Sequence, residues 1–115
     1  MSMYKGTVLK GIQRGGQLGY PTINIPLKER DVSGVYAGRV RIGEEEYIAA
    51  VFANQERSIL EAHLLNFSGR ELYGQEVEIE LHVRLRDGAV FTDEEKLRAA
   101  IAEDVEHTRQ YFKHA

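Results

Sequence analysis

The segment Val77-Glu78-Ile79-Glu80-Leu81-His82-Val83-Arg84-Leu85-Arg86 alternates apolar and polar residues without a break. Successive side chains of a strand point to opposite faces. Val77, Ile79, Leu81, Val83 and Leu85 therefore predict a buried face, and Glu78, Glu80, His82, Arg84 and Arg86 a wet one. A long half-buried strand of this kind belongs to an antiparallel sheet. Arg86-Asp87-Gly88 reads as the turn that ends it.

Earlier segments read the same way. Residues 59–67 predict a strand with Leu60, Ala62 and Leu64 on one face and Ile59, Glu61, His63 and Leu65 on the other. Residues 47–53 are apolar at both parities, through Ile48, Ala50 and Phe52 and through Tyr47, Ala49 and Val51. Such a run predicts burial on both faces. Residues 34–42 predict a strand that leads into the turn Gly43-Glu44-Glu45-Glu46. Residues 22–27 predict a short strand bounded by Pro21 and Pro26, since proline is confined to strand ends and edges. Residues 4–9 predict the first strand.

After the last strand the period changes. Thr92-Asp93-Glu94-Glu95 fits a capping box, with Thr92 as N-cap and Glu95 at N3. Leu97, Ile101, Val105, Thr108 and Phe112 recur at helical spacing and predict the buried stripe. Six strands followed by one helix exclude strand–helix alternation and hence a doubly wound fold. The expected fold is all-β with a C-terminal helix: a six-stranded antiparallel barrel with the helix packed against it. Closing the sheet would also remove its exposed edges.

The chain of 115 residues is read as a single domain, residues 1–115. The absence of cysteine removes disulfides, thiolate chemistry and zinc–sulfur sites, and fits a reducing cytoplasm. No stretch approaches the ~20 apolar residues of a membrane-spanning helix, and the N-terminus lacks the apolar run of a signal peptide. A net charge of −3 argues against a nucleic-acid partner, which calls for a basic face.

Two places concentrate residues that could carry chemistry. The stretch Gly11-Ile12-Gln13-Arg14-Gly15-Gly16-Gln17-Leu18-Gly19-Tyr20-Pro21-Thr22-Ile23-Asn24 holds four glycines and an arginine. Glycines let a backbone approach a ligand closely, and successive N–H groups can cradle an anion. Thr22 and Asn24, two apart on an extended segment, present a hydroxyl and an amide oxygen to one face, which suits a hard cation held with phosphates. An ordinary glycine-rich turn leading into a strand is the competing reading. The stretch is neither a Walker A loop nor a Rossmann fingerprint.

The second place is Glu61. A carboxylate flanked by Ile59 and Leu65 would be partly desolvated, which suits a general base. A glutamate at the barrel rim, paired with arginine or solvent, is the alternative. His63 shares its face, and Glu-x-His could hold a metal. No third ligand cluster accompanies it, so a satisfied histidine is the simpler reading. No serine sits in a nucleophile-elbow context.

Taken together, these segments resemble the riboflavin kinase (flavokinase) family over nearly the whole chain. Leu18-Gly19-Tyr20-Pro21-Thr22-Ile23-Asn24 resembles the family's Leu-Gly-Phe/Tyr-Pro-Thr-Ala-Asn signature. Gly34-Val35-Tyr36 resembles its Gly-Val-Tyr strand, and Glu61-Ala62-His63-Leu64-Leu65-Asn66-Phe67 its Glu-x-His-Leu-Leu-x-Phe strand. Leu72-Tyr73-Gly74, then Leu85-Arg86 and Phe91, follow in order. In bacteria this domain is often the C-terminal half of a bifunctional enzyme that also makes FAD.

The resemblance implies phosphoryl transfer from ATP to the ribityl 5′-hydroxyl of riboflavin, giving FMN and ADP. It implies Glu61 as general base and Thr22 and Asn24 as ligands of Mg²⁺. It implies nucleotide contacts from Gly11, Arg14, Gly15, Gly16, Gly19, Tyr20, Pro21 and Thr22. Arg86, Phe91 and Glu61 would lie at the flavin. The expected protein is a cytoplasmic monomer with no nucleic-acid or membrane partner. It would not make FAD, because the adenylyltransferase half is absent from these residues. Two departures stand out. Gln17 replaces a basic residue of the family's loop, and the segment 51–58 is shorter than the family's and lacks its Asn-x-Gly-x-x-Pro-Thr pattern. A flavin- or nucleotide-binding barrel without turnover is the alternative reading.

Overall fold

The computed structural model describes residues 2–10, 20–67 and 71–114. Six strands are present among these residues: β1 (Ser2–Thr7), β2 (Thr22–Pro26), β3 (Gly34–Ile42), β4 (Glu45–Asn54), β5 (Ile59–Leu64) and β6 (Glu76–Arg86). A C-terminal helix, α1 (Glu94–Lys113), follows them. The strands form one antiparallel sheet in the order β1-β6-β3-β4-β5-β2, curled into a half-barrel. This is the expected class of fold, with closure of a different kind. β1 and β2 are the two ends of the sheet and share no ladder. They meet by packing: a Cβ at Gly6 would come within 3.0 Å of Ile25 Cβ. Just beyond β1, Leu9 N–H donates to the Asn24 carbonyl at 2.8 Å.

The inner face is the main core. Ile25, Val40, Val51, Leu60 and Ile79 are fully buried there, with Ala49, Ala62 and Leu64 beside them. β4 is buried on both sides, as its composition requires. Ala49, Val51 and Ala53 face inward, while Ala50 meets Leu65, Ile101 and Val105 in a second cluster beneath the helix. α1 therefore covers the outer face of β4 and β3.

Three sequence expectations need correction. β6 does not alternate to its end. The β3–β6 register shifts between Val35 and Tyr36 and again between Ala37 and Gly38. Each bulge adds a residue to one strand and turns the side chains that follow. Val77, Ile79 and Leu81 are buried as expected, but Val83 is 37% exposed. β5 stops at Leu64 rather than running to residue 67. Leu65 N–H donates to the Ile48 carbonyl, and Asn66 takes a left-handed backbone (φ 58°), which swings Phe67 back against Tyr47. The helix is capped by Asp93, not Thr92. The Asp93 carboxylate accepts from Glu95 N–H at 2.8 Å, and Asp93 itself is extended.

The helix is also fastened by charge. Arg86, at the end of β6, donates from Nε and Nη2 to the two Asp104 carboxylate oxygens, both at 2.7 Å. The Asp104 side chain is only 5% exposed and that of Arg86 32%. Removing one partner of such a pair strands the other, and the more deeply buried charge suffers more. Arg86→Met should therefore cost on the order of 3–5 kcal/mol in urea denaturation, and Asp104→Asn clearly less. Equal costs, or the reverse order, would contradict this account of the pair.

Candidate functional site

The pairing of β2 with β5 builds the site. The antiparallel register sets Thr22 opposite His63 and Asn24 opposite Glu61. Ile23 and Ile25 alternate with them into the core. All four polar side chains thus fall on the outer face of the sheet. On its other side β5 pairs with β4, which puts Phe52 opposite Glu61 and Ala50 opposite His63.

A cavity of about 300 Å³ opens beside this face. Val35, Phe52, Phe91, Leu97 and Ile101 give it apolar walls. Asn54, Glu61, His63, Arg86 and Asp104 bring polar groups to the same space. That is a common composition for a small-molecule site. The 87–91 loop forms one wall and lies close to Phe52, where a Cβ at Gly88 would come within 2.9 Å of the ring. Arg84 holds this loop by donating to the Asp87 carboxylate at 2.7 Å and to the Ser33 carbonyl at 3.0 Å.

Glu61 is half-buried and borders the cavity. Its Oε2 accepts from Asn54 Nδ2 at 2.9 Å, while Asn54 Oδ1 accepts from Arg57 N–H at 3.1 Å. Asn54 thus joins the Gln55–Ser58 turn to the carboxylate. Neither Asn54 nor Asp104 is among the residues that the sequence singles out. Asp104 was recoverable, since it falls at helical spacing between Ile101 and Thr108, a charge on the apolar stripe. Nothing local in the sequence marks Asn54.

Thr22 and Asn24 are each 3% exposed and sit beside the cavity rather than among its lining residues. Asn24 Oδ1 is buried and has no hydrogen-bond partner among the described residues. An orphaned buried acceptor of this kind calls for a ligand or an ion. Together with the Thr22 oxygen it fits a hard cation that takes few protein ligands. Glu61 and His63 belong to no group of three or more acidic, histidine or cysteine residues able to hold a metal among the described residues.

His63 is 9% exposed, and its Nδ1 lies 2.9 Å from Thr22 Oγ1. Thr22 also donates to the Tyr20 carbonyl at 3.0 Å. Burial pushes the imidazole below its ordinary value of 6.5, against the pull of Glu61 and Asp104. Arg86 and Phe91, expected at the flavin, both line the cavity with Glu61. The hydrogen bonds to Asp104 push the Arg86 guanidinium up from its ordinary value and keep it charged. Tyr20 packs at the edge of the helix-covered cluster, and the Pro21 carbonyl accepts from Leu64 N–H. Gly11, Arg14, Gly15, Gly16 and Gly19 lie outside the described residues.

The depressed value of His63 has a consequence for stability. The unfolded chain takes up this proton near pH 6.5, while the folded chain resists it. The contribution is complete above that pH and is lost as the pH falls through the window below it. In metal-free buffer, His63→Asn should flatten the fall in urea stability below pH 6.5, by at most about 1.4 kcal/mol per pH unit. An unchanged slope would contradict a buried neutral imidazole.

The family model for riboflavin kinase (flavokinase) matches residues 2–112. A Listeria monocytogenes protein described as a bifunctional riboflavin kinase/FMN adenylyltransferase is 33% identical over 94% of this chain and 37% of its own length. Its Buchnera aphidicola counterpart is 30% identical over 93% and 38%. The chain therefore spans little more than a third of the curated relatives it matches. Among solved structures, riboflavin kinase from Trypanosoma brucei superposes with a TM-score of 0.68 at 27% identity, over 96% of this chain and 79% of that one. A Streptococcus pneumoniae chain described as a macrolide-efflux protein gives 0.77 at 28%, over 93% and 38%. With a family match that runs through all six strands and most of the helix, this chain belongs to the riboflavin kinase family.

Proposed function

We propose that the chain transfers the γ-phosphoryl group of ATP to the ribityl 5′-hydroxyl of riboflavin, giving FMN and ADP. One observation carries the reading. A half-buried carboxylate, Glu61, borders an apolar-walled cavity and stands cross-strand from Asn24, whose buried oxygen has no partner among the described residues. A base, a seat for an aromatic substrate and a cation ligand thus meet at one strand pair.

In this reading the flavin ring occupies the apolar part of the cavity, between Phe52, Phe91 and Val35. The ribityl chain runs toward Glu61. Glu61 accepts the proton of the 5′-hydroxyl as the new O–P bond forms and the bond to ADP breaks. Asn54 keeps the carboxylate aimed by donating to one oxygen and leaving the other for the substrate. Arg86, already paired with Asp104, shapes the flavin wall rather than meeting a phosphate. Thr22 Oγ1 and Asn24 Oδ1 are the oxygens that would hold Mg²⁺ with the nucleotide phosphates. Mg²⁺ supplies neutralisation of charge on the phosphoryl oxygens, which this chemistry needs more than covalent help. The glycine-rich residues Gly11 to Gly19, with Tyr20 and Pro21, would contact the nucleotide. The reading extends to a monomer acting in the cytoplasm.

Purified protein with riboflavin, ATP and Mg²⁺ should form FMN, resolved by chromatography. Absence of FMN would leave a binding barrel without turnover. Glu61→Gln should lower kcat by roughly 10²–10⁴-fold and leave riboflavin affinity, read by quenching of flavin fluorescence, nearly unchanged. Wild-type turnover in that variant would remove Glu61 from the mechanism.

A further inference from the structure

Thr22 carries a single hydroxyl proton and has two close neighbours. The Tyr20 carbonyl, at 3.0 Å, can only accept. His63 Nδ1, at 2.9 Å, can donate or accept according to its tautomer. Both contacts are hydrogen bonds only if the threonine proton goes to Tyr20 and the imidazole carries its proton on Nδ1. His63 Nε2 has no partner among the described residues, so none of them offers an acceptor that would hold a proton there. The two bonds leave one lone pair on Thr22 Oγ1, with the proton turned away from it. Thr22 and Asn24 point to the same face of β2, where the Asn24 oxygen also has no partner among the described residues. A hard cation needs both conditions, since it binds oxygen lone pairs and is repelled by a hydroxyl proton directed at it.

We infer that His63 is a positioning residue for the cation. Its Nδ1–H fixes the Thr22 hydroxyl with a lone pair presented beside Asn24 Oδ1, so that the two oxygens act as a preset pair. His63 acts through Thr22 and touches neither the nucleotide nor the cation. The inference rests on the cation seat assigned under the kinase reading. It explains why an imidazole is buried on a strand next to the reactive carboxylate. It also separates the roles of the two residues in Glu-x-His: Glu61 serves the hydroxyl and His63 the cation. Groups that orient a metal's own ligands typically change metal affinity by 10–100-fold when removed.

Two measurements test it. The first needs no activity. Two-bond ¹H–¹⁵N spectra of the ligand-free chain with labelled histidine should show His63 as the Nδ1–H tautomer, assigned by its loss in His63→Asn. The Nε2–H tautomer would overturn the inference. The second is binding of Mn²⁺ with ADP, followed by electron paramagnetic resonance. His63→Leu should weaken binding by roughly tenfold or more. His63→Gln, whose amide reaches toward Nε2 rather than Nδ1, should weaken it similarly. His63→Asn, whose amide nitrogen replaces Nδ1, should restore most of it. A folded His63→Leu that binds Mn²⁺ and ADP like wild type would overturn the role of His63 alone. Wild-type protein that binds no Mn²⁺ with ADP would overturn the cation seat itself, and His63 with it.

Discussion

The register between β2 and β5 is the constraint on which the site depends. Strand side chains repeat with a period of two, so a slip of one residue would exchange every inward and outward group. Ile23, Ile25, Leu60, Ala62 and Leu64 hold the register, because all five must reach the inner core. The alternate positions are then forced outward, and these are Thr22, Asn24, Glu61 and His63. The core thus sets the geometry of the polar groups without contacting any ligand. Pro21 precedes β2 and Pro26 ends it, the strand-end positions where proline is tolerated.

An outward face would normally be solvated. Here α1 covers the neighbouring outer surface, and the cavity forms where that cover ends. Ile101 and Val105 seal the helix onto Ala50 and Leu65. Leu97, one turn earlier, is left at the cavity wall with Ile101. The Arg86–Asp104 pair lies at the same boundary and ties β6 to the helix. Sheet, helix and the 87–91 loop therefore share the wall, and the loop is fixed by Arg84 at its start. Half-burial of Glu61 and near-complete burial of His63 follow from their places relative to this cover.

Much of the fold was legible in the sequence because the hydrophobic pattern is strong. The double-sided burial of residues 47–53 and the helical stripe from Leu97 to Phe112 both describe real faces. The alternation of β6 misled beyond Leu81, because a bulge depends on the partner strand. Gly38 lacks the Cβ that would strike the Glu80 carbonyl there, and nothing in residues 77–86 signals that. Thr92 and Asp93 are adjacent capping residues, and only backbone geometry chooses between them. At the site, Glu61, Arg86 and Phe91 were singled out and do share one cavity. Asn54 was not, because its bond to Glu61 depends on how a four-residue turn closes. The link between His63 and Thr22 is likewise a contact between strands 41 positions apart.

The central claim is that the outer face of β2 and β5 holds the cation with the nucleotide, beside the base. Paramagnetic broadening tests it most directly. Mn²⁺ with ADP, titrated into isotopically labelled protein, should broaden the side-chain amide of Asn24 and the backbone amides of Thr22, Glu61 and His63 first. The amides of Met3, Arg41 and Glu78, on β1, β3 and β6 rather than on the β2–β5 pair, should stay sharp. Broadening centred on those residues, with Asn24 and Glu61 untouched, would contradict the account.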